Sequence, residues 1–129
     1  MSNKIVLIVD DSATLRMSVE MTLKPIGYDV IHAINGKEGL KVLATMEAEG
    51  NSPDMIISDI NMPIMGGIEF IKEVKQTKFR YLPILVLTTE REDGKKMEGK
   101  QAGASGWLVK PFQPETLINV VKKFTRTLS

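Results

Sequence analysis

Three aspartates, one threonine and one lysine stand at the ends of apolar segments of the sequence. Asp10 ends KIVLIVD and is followed by Asp11, Asp59 ends DMIISD, Thr88 ends LPILVLT, and Lys110 ends SGWLVK. Carboxylates brought together repel one another, and a hard divalent cation such as Mg²⁺, which prefers oxygen ligands, relieves that repulsion. A lysine and a hydroxyl beside such an ion can donate to the oxygens of a phosphoryl group. The residue types therefore predict magnesium-assisted phosphoryl chemistry, provided that the fold brings these segment ends together.

Short apolar segments alternate with longer helical segments along the 129 residues. The predicted strands are Lys4–Asp10, Tyr28–Ala33, Asp54–Asp59, Leu82–Thr88 and Ser105–Lys110. The first, third and fourth are nearly continuous apolar runs, which are typical of strands covered by helices on both faces. This alternation predicts an α/β fold, a doubly wound five-stranded parallel sheet with five helices, in one domain over residues 1–129.

Capping residues mark where the helices begin. Ser12 caps the first helix, Asn35 with Glu38 forms a capping box at the second, and Pro114 takes the first position of the last. The third helix is expected to end near Gln76, and the fourth is weak because its segment holds two glycines and few apolar residues. The predicted inward-facing residues are Leu15, Val19, Leu23, Leu40, Leu43, Met46, Ile68, Ile71, Val74, Leu117, Val121, Phe124 and Leu128.

The polar residues at the strand ends are predicted to meet at one edge of this sheet. In an open parallel sheet, binding sites form beyond the carboxyl ends of the strands, where the strand order reverses. An acidic pair after a strand is usually a solvated turn, and a lysine at a strand end is usually solvated surface. The joint occurrence of five such residues at four strand ends favours a functional site over these separate explanations.

Composition narrows the possible functions. Seventeen basic and 16 acidic residues give a net charge of +1, which provides no electrostatic basis for binding nucleic acid. The chain contains no cysteine, which excludes a disulfide, a thiolate nucleophile and a cysteine-ligated zinc site. The first apolar run is shorter than the about 7–15 residues of a signal peptide or the about 20 of a membrane span. We therefore expect a cytoplasmic protein that binds neither nucleic acid nor membrane.

Four motifs carry a resemblance to a known family. They are VDDS (Val9–Ser12), SDINMPIMGG (Ser58–Gly67), LTTE (Leu87–Glu90) and GASGWLVKPF (Gly103–Phe112). With these motifs the whole chain resembles the receiver domains of two-component response regulators, and most closely their single-domain, CheY-like chemotaxis members. The resemblance implies a flavodoxin-like sheet with the strand order 2-1-3-4-5.

The resemblance also implies a role for each acidic residue. Asp59 would accept a phosphoryl group from a histidine kinase as an acyl phosphate. Asp11 would bind Mg²⁺ directly, together with Asp59 and the backbone carbonyl of Asn61, and Asp10 would act through a bound water.

Further roles are implied at the ends of the last two strands. Lys110 would pair with the phosphoryl oxygens, and the peptide bond that follows it would be cis. Thr88 would donate to one phosphoryl oxygen, and Trp107 would occupy the aromatic switch position. Asn61 and Glu90 would tune how fast the phosphoryl group is lost.

The resemblance implies partners but leaves the output open. A CheA-type histidine kinase would be the phosphodonor, and a flagellar motor switch protein or a phosphatase would be further partners of a monomeric protein. Glu92 and Asp93 stand where motor-binding members carry positive charge, which argues against motor binding. A phosphate sink and an onward phosphorelay are the other outputs. His32, the single histidine, is expected to be a packed or half-exposed imidazole and not a metal ligand.

Two other functions share part of this chemistry. A phosphatase of the haloacid dehalogenase type carries its aspartates as DxD after the first strand and needs a cap domain, whereas here they are adjacent and the candidate nucleophile follows the third strand. A flavodoxin-like flavin carrier needs a phosphate-binding loop after the first strand, where Asp10 and Asp11 would repel the phosphate. Both are less compatible with the sequence than the receiver domain.

Overall fold

The computed structural model describes residues 3–89 and 93–126. The expectations for Glu90, Glu92 and Leu128 fall outside the described residues.

Five parallel strands form a single sheet. They are β1 (Lys4–Val9), β2 (Tyr28–Ala33), β3 (Met55–Asp59), β4 (Ile84–Thr88) and β5 (Gly106–Val109). Their order across the sheet is β2-β1-β3-β4-β5, and each neighbouring pair is parallel. The predicted α/β class, doubly wound topology and strand order are therefore confirmed.

Five α-helices connect and follow the strands. They are α1 (Ala13–Leu23), α2 (Gly36–Ala48), α3 (Gly67–Val74), α4 (Asp93–Ala102) and α5 (Pro114–Thr125), with a short 3₁₀ turn at Lys24–Ile26 after α1. Ser12 Oγ accepts from the backbone N–H of Leu15, and Asn35 Oδ1 accepts from that of Glu38, as the capping prediction requires. None of the described helices is long and apolar enough to cross a bilayer.

The sheet separates two apolar layers. Leu7 and Val9 of β1 pack with Leu43 of α2 and Phe70 of α3 on one side. On the other side Val6 and Ile8 of β1 pack with residues of α1 and α5, namely Val19, Leu23, Leu117 and Val121. Because successive side chains of a strand face opposite layers, a strand covered on both sides reads as a continuous apolar run.

Every predicted strand except β2 was longer than the observed one, by one residue at the end of β1, at the start of β3 and at both ends of β5, and by two at the start of β4. The predicted α3 was also too long. The differences at β4 and α3 have local reasons. β4 begins at Ile84 and not at Leu82, and Pro83, which lacks a backbone N–H, precedes it. α3 ends at Val74, and Gln76 N donates to the carbonyl of Glu73 in a tighter turn.

The expected inner face of α3 was wrong at one position. Ile68 is only half-buried, whereas Phe70, which had not been assigned to the core, is completely buried. The side chain packs against two glycines of α2: an added Cβ would lie 2.9 Å from Phe70 Cβ at Gly36 and 2.8 Å from Cε1 of the ring at Gly39.

Candidate functional site

The acidic cluster lies at the carboxyl ends of the two central strands, β1 and β3. Val9 of β1 pairs with Ser58 of β3. Asp10 and Asp59, the residues that follow them, therefore lie side by side at the same edge of the sheet. Asp10, Asp11 and Asp59 each offer a carboxylate oxygen within 4.8 Å of the others. Asp10 is completely buried and Asp59 is 8% exposed, whereas Asp11 faces solvent.

A single lysine reaches this cluster from β5. Lys110 Nζ lies 3.2 Å from Asp59 Oδ1 and 3.4 Å from Asp10 Oδ2. Its backbone N–H donates to the carbonyl of Thr88, which fixes the start of its side chain beside the end of β4. The peptide bond between Lys110 and Pro111 is cis, as the resemblance implied.

The charges of this cluster are only partly compensated. Burial raises the pKa of Asp59 above its ordinary value, and the neighbouring carboxylate of Asp10 raises it further; the ammonium of Lys110 and the backbone N–H of Ile60 offset part of this rise. Burial lowers the pKa of Lys110, but the attraction of Asp59 and Asp10 outweighs burial and leaves it raised. The site therefore favours an additional cation near its carboxylates.

The donor set fits a magnesium ion. Mg²⁺ prefers oxygen ligands and commonly takes one or two carboxylates with waters and phosphate oxygens. Both carboxylate oxygens of Asp10 already have protein donors, because Ser12 N donates to Oδ1 and Lys110 Nζ lies beside Oδ2. Asp11, the exposed member, and Asp59 are the carboxylates best placed for direct ligation.

Thr88 brings a hydroxyl to the end of β4. The residue is completely buried, and its Oγ1 has no hydrogen-bond partner among the described residues. A buried polar group without a partner costs about 1–3 kcal/mol, so this hydroxyl is poised to gain from an acceptor that arrives at the site.

Trp107 lies on β5 beside the strand that ends in Thr88. It pairs with Val86, and Val86 and Thr88 point to the same face of β4 because side chains alternate along a strand. Its indole is 41% exposed in this structure. Trp107 is therefore a partly exposed residue and is not among the residues of the apolar layer to which Val86 belongs.

The connection from β3 to α3 depends on close backbone contact. Gly67 N donates to the carbonyl of Ile60, and a Cβ on Gly67 would lie 2.1 Å from the carbonyl oxygen of Asp59. Only glycine permits this approach, which turns α3 back beside the cluster. Asn61, the predicted carbonyl ligand, is exposed at the start of this connection.

The structure brings most of the predicted residues together. Asp10, Asp11, Asp59 and Lys110 meet directly, Thr88 ends the strand between β3 and β5, and Glu90 is outside the described residues.

Sequence reasoning missed the surroundings of His32. The imidazole is half-exposed, as expected, but it also contacts Arg16 and Glu20 of α1. Their spacing of four residues on a helix that follows β1 was the available signal.

Comparisons with known proteins agree with this geometry. The model of the response regulator receiver domain matches residues 6–122. The sensor histidine kinase CheAY of Helicobacter pylori is 39% identical over 95% of the chain, and the chemotaxis protein CheY1 of the same species is 36% identical over 86% of it. The transcriptional regulatory protein PhoP of Bacillus subtilis is 38% identical over 96%. The chain spans 15% of the length of CheAY and 49% of PhoP, but 88% of CheY1.

A solved structure shows the same likeness in three dimensions. The chemotaxis response regulator CheY4 of Vibrio cholerae is 47% identical, with a TM-score of 0.83 over 95% of this chain and 99% of that one.

Proposed function

Because the chain belongs to the response regulator receiver domain family, we propose that it is a switch controlled by phosphorylation of Asp59. The observation that carries the proposal is the position of Lys110 Nζ, 3.2 Å from Asp59 Oδ1 at the centre of the acidic cluster. A carboxylate with one fixed cation and two further carboxylates within 4.8 Å is suited to phosphoryl transfer, in which positioning and charge neutralisation supply the catalysis. The protein would catalyse its own phosphorylation and dephosphorylation and act on no separate metabolite.

The transfer step is a substitution at phosphorus. A carboxylate oxygen of Asp59 forms a bond to the phosphorus of a phosphohistidine, the phosphorus–nitrogen bond breaks, and the released imidazole takes up a proton. Mg²⁺, held by Asp11, Asp59 and the backbone carbonyl of Asn61, with Asp10 acting through a water, would neutralise the negative charge of the phosphoryl oxygens.

Two hydrogen-bond donors of the protein would stabilise the phosphorylated form of Asp59. Lys110, already beside Asp59, would pair with a phosphoryl oxygen, and the hydroxyl of Thr88 would gain the acceptor that it lacks among the described residues. Trp107 would then turn toward the space beside Thr88. Asn61 and Glu90 are proposed to set the lifetime of the phosphoryl group.

The names of the relatives support a role in chemotaxis. CheY1 and CheY4 are chemotaxis proteins of nearly the same length as the matched region. We therefore propose a monomeric, cytoplasmic, single-domain regulator, with residues 1–129 as the receiver domain and a CheA-type histidine kinase as phosphodonor. Its output would be phosphorylation-dependent binding to another protein, such as a flagellar motor switch protein or a phosphatase.

Labelling with a small phosphodonor tests this function directly. Incubation with phosphoramidate and Mg²⁺ should add one phosphate to the intact mass of the wild type and of the matched control Asp29→Asn, an exposed aspartate of β2. Asp59→Asn should not be labelled, and EDTA should suppress labelling of the wild type. Labelling of Asp59→Asn, or labelling that is undiminished in EDTA, would contradict the proposal.

A further inference from the structure

A chain of hydrogen bonds connects α1 to the backbone of the acidic cluster. Arg16 Nη1 donates to the carbonyl oxygen of Asp10 at 2.6 Å, and Arg16 Nε donates to His32 Nδ1 at 3.2 Å. On the other side of the ring, His32 Nε2 lies 3.1 Å from Glu20 Oε1. Arg16 and His32 are both half-buried, so these contacts are partly shielded from solvent.

The donors fix the protonation of the imidazole. Arginine carries only donors, so Nδ1 of His32 must accept and cannot carry a proton. With Nδ1 accepting, Nε2 is the ring nitrogen left to donate, and the carboxylate of Glu20 lies within hydrogen-bond distance of it. Among the described residues, the charged groups that bond to the ring, Arg16 and Glu20, both come from α1, and the residue paired with His32 on β1 is the apolar Ile8.

The bond to Asp10 holds the point at which the chain turns toward Asp11. The backbone N–H of Asp10 donates to the carbonyl of Ala33 on β2, and its carbonyl accepts from Arg16. That carbonyl belongs to the peptide group that joins Asp10 to Asp11. With both sides held, the direction in which Asp11 leaves the strand is fixed.

We propose that Arg16 is a positioning residue for the magnesium ligands, and that neutral His32 holds Arg16 in place. The inference rests on the proposed function, because it concerns the carboxylate that would bind the ion. Protonated His32 would present an N–H to the N–H of Arg16 and repel its charge, while its attraction to Glu20 would grow. Arg16 would then lose its hydrogen bond to His32, its bond to the carbonyl of Asp10 would weaken, and the position of Asp11 would be less well fixed.

Magnesium affinity, measured by calorimetry without any phosphodonor, tests the role of Arg16. Arg16→Gln should weaken Mg²⁺ binding by about tenfold, the lower end of the loss seen when a residue that orients a metal ligand is replaced. Arg80→Gln, an exposed arginine before β4, is the matched control and should bind as the wild type does. Thermal melts establish that each variant is folded.

The pH profile tests the role of His32. Histidine changes charge between about pH 5 and pH 8, and glutamine offers an acceptor and a donor without titrating. His32→Gln should match the wild type near pH 8 and bind Mg²⁺ about threefold more tightly than the wild type near pH 5.5. Proton competition at the carboxylates is common to both proteins and cancels in this comparison. If His32 acts through Arg16, adding His32→Gln to the Arg16→Gln variant should not change its Mg²⁺ affinity at either pH.

A measurement without metal gives a second readout. Because the chain has one histidine, its ring nitrogens give a single set of ¹⁵N resonances. At high pH these should show the Nε2–H tautomer in the wild type. In Arg16→Gln the Nδ1 resonance should shift, because Nδ1 loses its arginine donor while Nε2 keeps Glu20 as acceptor.

The outcomes separate this inference from the proposed function. Wild-type protein that does not bind Mg²⁺ contradicts both. Wild type and Arg16→Gln that bind Mg²⁺ equally overturn the positioning role and leave phosphorylation of Asp59 standing. Identical pH profiles for the wild type and His32→Gln overturn the role of His32.

Discussion

The surroundings of Asp59 disfavour the ionised form of its carboxyl group. Burial and the carboxylate of Asp10 raise its pKa, although Lys110 is an ion-pair partner. The site thus carries an electrostatic cost in the folded state, and an added cation would relieve that cost. A reactive residue held in a destabilising environment is a common feature of functional sites.

This cost makes a prediction about stability. A carboxyl group whose pKa is raised on folding destabilises the folded state when it is ionised, that is, at pH values above its folded pKa. The cost fades as the pH falls through the raised folded pKa and is gone below the ordinary value of 3.8, where the group is protonated in both states. In EDTA, Asp59→Asn should therefore melt at a higher temperature than the wild type at pH 7, and the difference should shrink on acidification.

Thermal melts over a pH series measure this effect. A change of about 1 kcal/mol moves the melting temperature of a domain of this length by roughly 4 °C, which is easily resolved. Asp29→Asn is the control and should show no such pH-dependent gain. An Asp59→Asn variant that is less stable than the wild type at pH 7 would contradict the electrostatic account.

Ile64 leads to a second prediction at the residue scale. It is 78% exposed and has a φ of 71°, in the left-handed region that β-branched residues avoid. Asparagine adopts this conformation more readily, so Ile64→Asn should stabilise the protein by about 1 kcal/mol. Urea unfolding measures the gain. Ile34→Asn, at another exposed isoleucine whose φ is not positive, should give none.

Among the helices, α4 buries the fewest residues in the part of the chain that the structure describes. In the part of α4 whose side chains the structure describes, Gly99 is the one buried residue. The helix lacks the apolar stripe that fixes α5 through Leu117 and Val121. Few buried contacts give a helix a low local stability, so α4 is the element expected to open most easily.

Substituting glycines tests this account of α4. An added Cβ at Gly94 meets nothing within 4 Å, and Gly94→Ala should stabilise the helix by about 0.5–1 kcal/mol and slow its amide exchange. Gly27 is the matched control: its surroundings are equally open, but its φ is +99°. Gly27→Ala should therefore destabilise the protein. Equal effects at both positions would show that backbone conformation is not the deciding factor.

The sequence predicted elements best where local signals decide them. Ser12 and Pro114 marked two helix starts correctly because capping depends on neighbouring residues alone. The burial of Phe70 depends instead on the two glycines of α2 that it covers, which no local pattern reveals. The contact between Arg16 and His32 joins a helix to a strand, and its geometry depends on side-chain directions that the sequence does not specify.

At the scale of the whole molecule, two features lie on the neighbouring strands β4 and β5, with side chains on the same face of the sheet. The buried hydroxyl of Thr88 lacks a partner among the described residues, and Trp107 on the neighbouring strand is partly exposed to solvent. If an acceptor drew the hydroxyl of Thr88 toward Asp59, the side chain of Trp107 would turn inward into the space beside Thr88. A ligand shifts such an equilibrium only by its difference in affinity for the two states, about 1.4 kcal/mol for each tenfold change in their ratio.

The single tryptophan reports on this change without labels. Beryllofluoride with Mg²⁺, a mimic of the phosphoryl group, should change the emission of Trp107 and lower its quenching by acrylamide. Thr88→Ala should blunt the response while still binding the mimic, and Asp59→Asn, the control, should not respond. An indole that is equally accessible with and without the mimic would contradict this coupling.

The strand order also has a consequence for how the protein is made. β1 lies inside the sheet with β2 and β3 on its two sides, and β4 and β5 then follow in turn. A chain that emerges from its N-terminus therefore builds the sheet by adding each strand to a free edge, and no strand must insert between two others. On this route the three aspartates meet once β3 docks, whereas Lys110 arrives with the last strand. Along such a route the acidic cluster would form before Lys110 joins it, and the final strand would supply both the outer edge and the compensating charge.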